Sequence, residues 1–328
     1  MKIAPPVDLA GLAKHILSNE CQSIAILSGA GVSVASGIPD FRSPGGMYDT
    51  LRPDLITATE RERALMRRDP TYVVSWEIFR HNPFPYLEVR RPFILGTQEQ
   101  TWKATIAHRF AELLHIKTNK LTRVYTQNID GLDRQCVRIP AEKIVPVHGT
   151  MSRVACEGCG HPADYESFCE NVRRNTKDIY QQDKQAPKES SHILCEKCRQ
   201  PLVKPTTVLF GRNLPGEFFQ CTEHDLPDLD LLIIAGTSLV VSPANSLVYK
   251  IPGDTIRVVV NREPVGFDLG IDYGPSRARD FFARGACEDV FLELIKLLGW
   301  KDDLVAYASD LPPSSTALIN RNANYGAS

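Results

Sequence analysis

Hydrophobic positions along this chain fall into two kinds of run. Short, nearly continuous apolar runs occur at 23–27, 122–126, 143–147, 207–210, 230–235 and 256–260. Runs of that length, rich in Val and Ile, are those of strands buried on both faces. Between them, apolar residues return every three or four positions. Residues 9–17, 105–114, 216–224, 243–249 and 287–298 read in this way as helices with one buried face, and Asp8 is placed to cap the first. Strands alternating with helices predict an α/β fold with a parallel sheet.

Two stretches interrupt that alternation. Residues 47–100 are dense in Arg and Glu around 60–68, carry prolines at 70, 83, 85 and 92, and space Trp76 and Phe79 helically. They read as short helices forming a cap. Residues 151–204 are polar and hold Cys156-Glu157-Gly158-Cys159 and Cys195-Glu196-Lys197-Cys198, a separate small module. The sheet domain is then assembled from 1–46, 101–150 and 205–300, with cap and cysteine module forming a smaller lobe. The polar end, 309–328, is expected to be a disordered tail.

Composition changes this picture little. A chain of 328 residues, 43% hydrophobic and 23% charged, is ordinary for a globular protein with one large domain and a lobe. A net charge of −1 argues against bulk attraction to nucleic acid or anionic membrane. Pro5, Pro6 and Asp8 interrupt any apolar run near Met1, so no leader is expected, and the most apolar stretch, 231–241, is too short to span a bilayer.

The nine cysteines say more. An odd number without an export signal points to a reducing compartment. Two C-x-x-C turns bring four thiolates to one tetrahedral Zn²⁺, and four sulfurs leave no open position, so the expected zinc is structural. Cys21, Cys136, Cys169, Cys221 and Cys287 read as ordinary thiols.

The most informative feature is what each strand runs into. These turns are Ser28-Gly29-Ala30-Gly31, Gln127-Asn128-Ile129-Asp130, His148-Gly149-Thr150, Phe210-Gly211-Arg212-Asn213-Leu214-Pro215, Gly236-Thr237-Ser238-Leu239 and Asn261-Arg262-Glu263. In an open parallel sheet such turns share one crevice, where ligands bind. Gly29, Ala30 and Gly31 leave the backbone bare for a phosphate. Gly37-Ile38-Pro39 then breaks a short helix, and Asp40-Phe41-Arg42 adds a polar hook. Val34 stands where a dinucleotide fingerprint has its third glycine. Asn261 and Glu263 are placed to hold an adenosine, and a carboxylate there favours NAD over NADP. Thr237 and Ser238 either donate to a phosphate or ribose or cap a helix. His148, at a strand end beside a glycine, is placed to act as a general base near neutral pH. A merely buried histidine is the plainer reading, but convergence with the other turns favours the base.

The stretches GAGVSVASGIPDFRS, TQNIDGLDR, VHGT, FGRNLP and GTSL, with the four cysteines and the closing Asn261-Arg262-Glu263, resemble the sirtuins, a family of NAD-dependent protein-lysine deacylases. The resemblance runs from about residue 23 to 299, and the end from Cys287 to Trp300 is most similar to the deacetylase branch. It implies a Rossmann-like domain with a smaller lobe of helical cap and zinc ribbon. It places Ile38, Gln127, Asn128 and Asp130 around nicotinamide, Phe41 over the ribose, Ile129, Gly236 and Cys287 on the cofactor side, and His148 as base, with Asn128 and Asp130 as catalytic partners. The acyl oxygen of acyl-lysine would attack C1′ of the ribose and expel nicotinamide, and His148 would then help a ribose hydroxyl attack the imidate. The products would be free lysine and acyl-ADP-ribose. A protein or peptide substrate would add a strand at Val208, Phe210 and Gly211, facing Val265 and Gly266. The implied location is intracellular, cytoplasmic or nuclear. A mono-ADP-ribosyltransferase on the same fold is the alternative. Arg212 departs from the family's usual glutamate and predicts weaker preference for basic flanking residues.

Overall fold

The computed structural model describes residues 6–38, 46–274 and 279–324. Its strands are β1 (Ile24–Ser28), β2 (Leu121–Thr126), β3 (Ile144–Pro146), β4 (Val154–Cys156), β5 (Pro162–Ala163), β6 (Val203–Pro205), β7 (Leu231–Ala235), β8 (Ile256–Asn261) and β9 (Asp280–Arg284). The first three and last three form one parallel sheet in the order β3-β2-β1-β7-β8-β9, and the middle three form a small antiparallel sheet. β1 lies between β2 and β7, with Ser28 level with Thr126 on one side and Ala235 on the other. From β1 the chain builds outward to β3, then returns to build outward from β7. The strand order therefore reverses between β1 and β7, the point where an open α/β sheet parts its loops into a crevice.

The helices are α1 (Leu9–Leu17), α2 (Glu60–Arg68), α3 (Trp76–Phe79), α4 (Phe84–Gln98), α5 (Ile106–Thr118), α6 (Tyr165–Asn175), α7 (Gly216–Asp225), α8 (Cys287–Leu297), α9 (Lys301–Val305) and α10 (Pro313–Asn324). Asp8 caps α1 as its sequence position requires, accepting from the Gly11 N–H at 2.7 Å. One apolar layer joins α1, α5 and α8 to one face of the large sheet, through Ile16, Phe110, Leu114, Phe291 and Ile295.

Residues 47–100 and 151–204 are far apart in sequence but share one core. Met66, Phe79, Leu87 and Ile94 pack with Phe168, Val172 and Ile193. The insertion between the cysteine pairs carries α6, which lies on α4, and Arg91 donates to Thr176 O (3.0 Å) and pairs with Asp183 (2.6 Å). Glu88, wholly buried, accepts from Thr57 N (2.8 Å) and Ser190 Oγ (2.6 Å), tying cap to insertion.

Several sequence expectations are corrected here. Residues 207–210 are not a strand of the large sheet; Phe210 forms one bridge with Ser75. The run is apolar because Leu209 fills the core of the small lobe while Phe210 stays 42% exposed. β9 was hidden by its charged ends: Asp280 is buried because the equally buried Arg257 of β8 grips it at 2.5 Å. Residues 244–248 form a 3₁₀ segment, not an α-helix. The tail is ordered through 324, as α10. Leu311 and Ile319 are buried in the main core, Ser315 donates to Glu288 at 2.5 Å, and Ser314 donates to Ala35 O at 2.5 Å. In this helix Ser315 and Ile319 are buried on one face while Ala317 is exposed, and so narrow a face is enough when a prepared surface receives it.

Candidate active site

Residues 30–36, read as a phosphate cradle, form two 3₁₀ turns, Ala30–Val32 and Val34–Ser36. Gly31 meets Gly236 of the loop after β7 so closely that a Cβ on Gly236 would sit 2.7 Å from the Gly31 Cα. The N–H groups of Gly29 and Gly31 donate to Ala235 O (2.9 Å) and Gly236 O (2.8 Å). These glycines thus serve first to let two loops touch at the switch point.

The turn after β2 is locked onto that floor. Asn128 Nδ2 donates to Gly29 O (3.0 Å) and lies 3.1 Å from Ser33 Oγ, and Ser33 Oγ donates to Asp130 Oδ2 (2.7 Å). Leu132 N–H donates to the other Asp130 oxygen at 3.0 Å. Ala30, Ser33, Ile38, Asn128, Ile129 and Asp130 line one small pocket, closed by Phe93 of α4. Phe93 comes from the cap, where no local signal marks it as a site residue.

Behind Asp130 lie two groups that sequence reasoning missed. His108 of α5 and Asp133 are buried with it, their ligating atoms all within 4.8 Å. Burial raises the carboxyls of Asp130 and Asp133, the latter to about 6, and lowers His108. His108 Nδ1 accepts from Thr105 N–H at 3.1 Å, which turns its other nitrogen toward the acids. The nearest acid along the helix, Glu112, is taken by Arg109 at 2.7 Å, and the acids that meet His108 come from the turn after β2, so no local spacing hints at the cluster.

His148 is set by its backbone neighbours. Its Nδ1–H donates to Gln127 O at 2.9 Å, which leaves Nε2 as the basic nitrogen. That Nε2 is buried and has no partner among the described residues, and the same holds for Gln127 Nε2. Burial holds the imidazole below its ordinary value of 6.5. Gly149 adopts φ +74, and a Cβ there would lie 2.0 Å from Thr206 O.

On the β7–β8 side, Thr237 Oγ1 donates to Gln127 Oε1 (3.4 Å) and accepts from Leu239 N–H (3.1 Å), while Asn261 Nδ2 donates to Thr237 O (3.1 Å). Ser238 and Glu263 are exposed at the rim. Cys287 opens α8 with its thiol on Val260 O, and burial pushes it up to about 12. Asp40, Phe41 and Arg42 lie outside the described residues.

Val208 N–H donates to His148 O (2.8 Å), and Phe210 exchanges bonds with Val74 and Trp76 (3.0 and 2.9 Å). Gly211 then turns the chain at φ +87. Across the crevice, Gly266 at φ +81 packs on Leu239, and Tyr273 Oη donates to Val265 O at 2.7 Å. Arg212 is not a free rim cation: its guanidinium lies over Trp76 and Nε donates to Glu157 at 3.1 Å. The charge reversal expected from the sequence is therefore largely offset.

In the small lobe the four cysteines converge. Cys156 and Cys198 sulfurs are 3.6 Å apart, and those of Cys159 and Cys195 are 3.7 Å apart. A tetrahedron with Zn–S bonds of about 2.3 Å has edges of about 3.8 Å, so the donor set fits zinc. Both knuckles close alike: Gly160 N–H returns to Cys156 O (2.8 Å) and Arg199 N–H to Cys195 O (3.0 Å). All nine cysteines are free thiols. No helix among the described residues is long and apolar enough to cross a membrane.

A sequence model described as the Sir2 family matches residues 29–243. The chain is 33% identical over 315 residues to the NAD-dependent protein deacetylase sirtuin-2 of Danio rerio, covering 92% of this chain and 75% of that one. It is 33% identical over 297 residues to the NAD-dependent protein deacetylase hst2 of Schizosaccharomyces pombe, covering 90% and 78%. With the NAD-dependent deacetylase sir2A of Dictyostelium discoideum it shares 35% over 296 residues, 89% of this chain and 52% of that one.

Proposed function

The chain belongs to the Sir2 family and is an NAD-dependent protein deacetylase with NAD as co-substrate, and from that premise we propose how its residues divide the reaction. Its substrates are acetylated proteins. NAD supplies a ribose carbon that becomes electrophilic as nicotinamide leaves. The pocket of Ala30, Ser33, Ile38, Phe93, Asn128, Ile129 and Asp130 receives the nicotinamide end and excludes water. Asn128 and Asp130 hold its polar edge, their side chains already fixed on Gly29 and Ser33. Asn261 and Glu263, past β8, hold the adenosine end, with Gly236, Thr237 and Ser238 between.

His148 is the general base. The observation that carries this is the buried, unpartnered Nε2, made basic by the Nδ1–H bond to Gln127 O. It takes a proton from a ribose hydroxyl as that oxygen attacks the acyl carbon and returns a proton to the departing lysine amine, and one water supplies the oxygen that completes acetyl-ADP-ribose. Val208, Phe210 and Gly211 on one wall, with Val265 and Gly266 on the other, bracket the acetylated chain as an added strand. Cys156, Cys159, Cys195 and Cys198 hold one structural zinc. Nine free thiols support a cytoplasmic or nuclear location.

The test is product analysis. Purified protein, NAD and an acetyl-lysine peptide should yield nicotinamide, free-lysine peptide and acetyl-ADP-ribose in equal amounts by mass spectrometry. ADP-ribose retained on protein with the acetyl group untouched would instead establish the transferase alternative.

A further inference from the structure

The wall proposed to pair with substrate is fastened to the zinc knuckle by the β4–β6 ladder and, at the side-chain level, through one carboxylate. Val208 and Phe210 turn their backbone groups inward, to His148 and to residues 74 and 76. Between and beside them, Leu209 O accepts from Arg212 N–H at 3.0 Å and Thr207 O accepts from Lys204 Nζ, so the whole segment is held from within the small lobe. Just past this edge, the Arg212 guanidinium lies 4.8 Å from the Trp76 ring centroid and Nε donates to Glu157 Oε1 at 3.1 Å. Just before it, Lys204 is 1% exposed and spends its three ammonium hydrogens on Glu157 Oε2 (3.1 Å), Pro205 O (2.9 Å) and Thr207 O (2.5 Å). Glu157 sits inside the first knuckle, between Cys156 and Cys159, and its N–H is held by Leu202 O at 2.8 Å. One carboxylate therefore grips both ends of the 204–212 segment. Tyr86 Oη shares a 2.6 Å hydrogen bond with Thr207 Oγ1, tying the segment to the cap.

We infer that Glu157 is a positioning residue for the acetylated substrate, transmitting the geometry of the cysteine knuckle to the substrate edge through Lys204 on one oxygen and Arg212 on the other. Glu157 touches neither cofactor nor reacting atoms. Its loss leaves Lys204 buried without a counter-ion and Arg212 free to swing off Trp76, so the edge loses its side-chain clamps at both ends while the β4–β6 ladder and the nicotinamide pocket, built on β1 and β2, are untouched. The inference rests on the substrate wall assigned above.

The experiment measures KM for acetyl-peptide and for NAD, kcat, zinc content by metal analysis, and peptide binding without NAD by anisotropy of a labelled acetyl-peptide. Glu157→Gln should keep one zinc per chain and an NAD KM within about twofold, yet weaken peptide binding by about tenfold. Arg212→Gln should weaken it by two- to fivefold, as befits a half-exposed pair, and Arg212→Lys should recover most of that loss. In the Glu157→Gln background, Arg212→Gln should have little further effect. If Glu157→Gln loses its zinc or does not fold, the two Arg212 variants read the same link from a side chain with no buried role. Peptide binding unchanged in Arg212→Gln, or loss of NAD and peptide affinity together in either folded variant, overturns the inference. Wild-type protein that turns over no acetyl-peptide would instead defeat the assignment of the substrate wall's function, whereas wild-type turnover with insensitive variants defeats this inference alone.

Discussion

Replacing Gly149 with alanine tests whether the base is held by backbone packing. At φ +74 an L side chain costs about 1–2 kcal/mol. The new Cβ would also lie 2.0 Å from Thr206 O, so the contact must open by more than 1 Å. Thr206 cannot retreat freely: its N–H is on Arg153 O (2.8 Å), its hydroxyl is on Thr150 O (3.3 Å), and Val208 N–H beyond it is on His148 O (2.8 Å). Breaking one such bond costs about 1 kcal/mol, and residual crowding costs about 1–3 kcal/mol. The sum is about 3–6 kcal/mol, which should lower Tm on the order of 10 °C. His148 is the adjacent residue, and a displacement of about 1 Å in a base costs on the order of 10²-fold in rate. Thermal melts and kcat/KM, measured well below the variant's own Tm, give the two readouts. A Gly149→Ala protein with wild-type Tm and wild-type kcat/KM would refute the close approach and the positioning argument together.

His148→Ala should lose turnover by about 10²-fold or more while keeping NAD binding, and wild-type rates would remove it from the mechanism. Because burial lowers the His148 pKa, the neutral base persists below pH 6.5, and kcat/KM should fall only as pH drops through that lower value; an acid limb at or above 6.5 would contradict this. Metal analysis should find one zinc per chain, and Cys195→Ser should release it and melt the small lobe, since Cys195 and Cys156 lie in that lobe's core; active protein without zinc would end the assignment. Ile319→Ala, in the buried face of α10, should cost about 2–4 kcal/mol in chemical denaturation, whereas an undocked tail would make it silent.

Much of the architecture was legible along the chain. The apolar runs that became β1, β2, β3, β7 and β8 are local properties, because a strand buried on both faces has little choice of residue. Asp8, the C-x-x-C turns and the glycine-bearing loops likewise announce themselves over a few residues, and the family resemblance carried the identity of the chemistry. β9 and α10 were not legible for opposite reasons. β9 buries a charge that only Arg257, on another strand, makes tolerable, and α10 has too weak an apolar stripe to predict without the surface that accepts it.

The site divides in the same way. His148, Asn128 and Asp130 could be singled out because strand ends in a parallel sheet must share a crevice. Phe93, His108, Asp133 and the Glu157 clasp on Lys204 and Arg212 could not. Even Arg212, which the sequence did single out, changed meaning once its partner was in view. A residue type at a turn reports what the backbone there can do, within the reach of its own neighbours. The charge a side chain presents, the tautomer it holds and the proton it keeps depend on groups brought beside it from elsewhere, and over such distances only tertiary packing decides who those neighbours are.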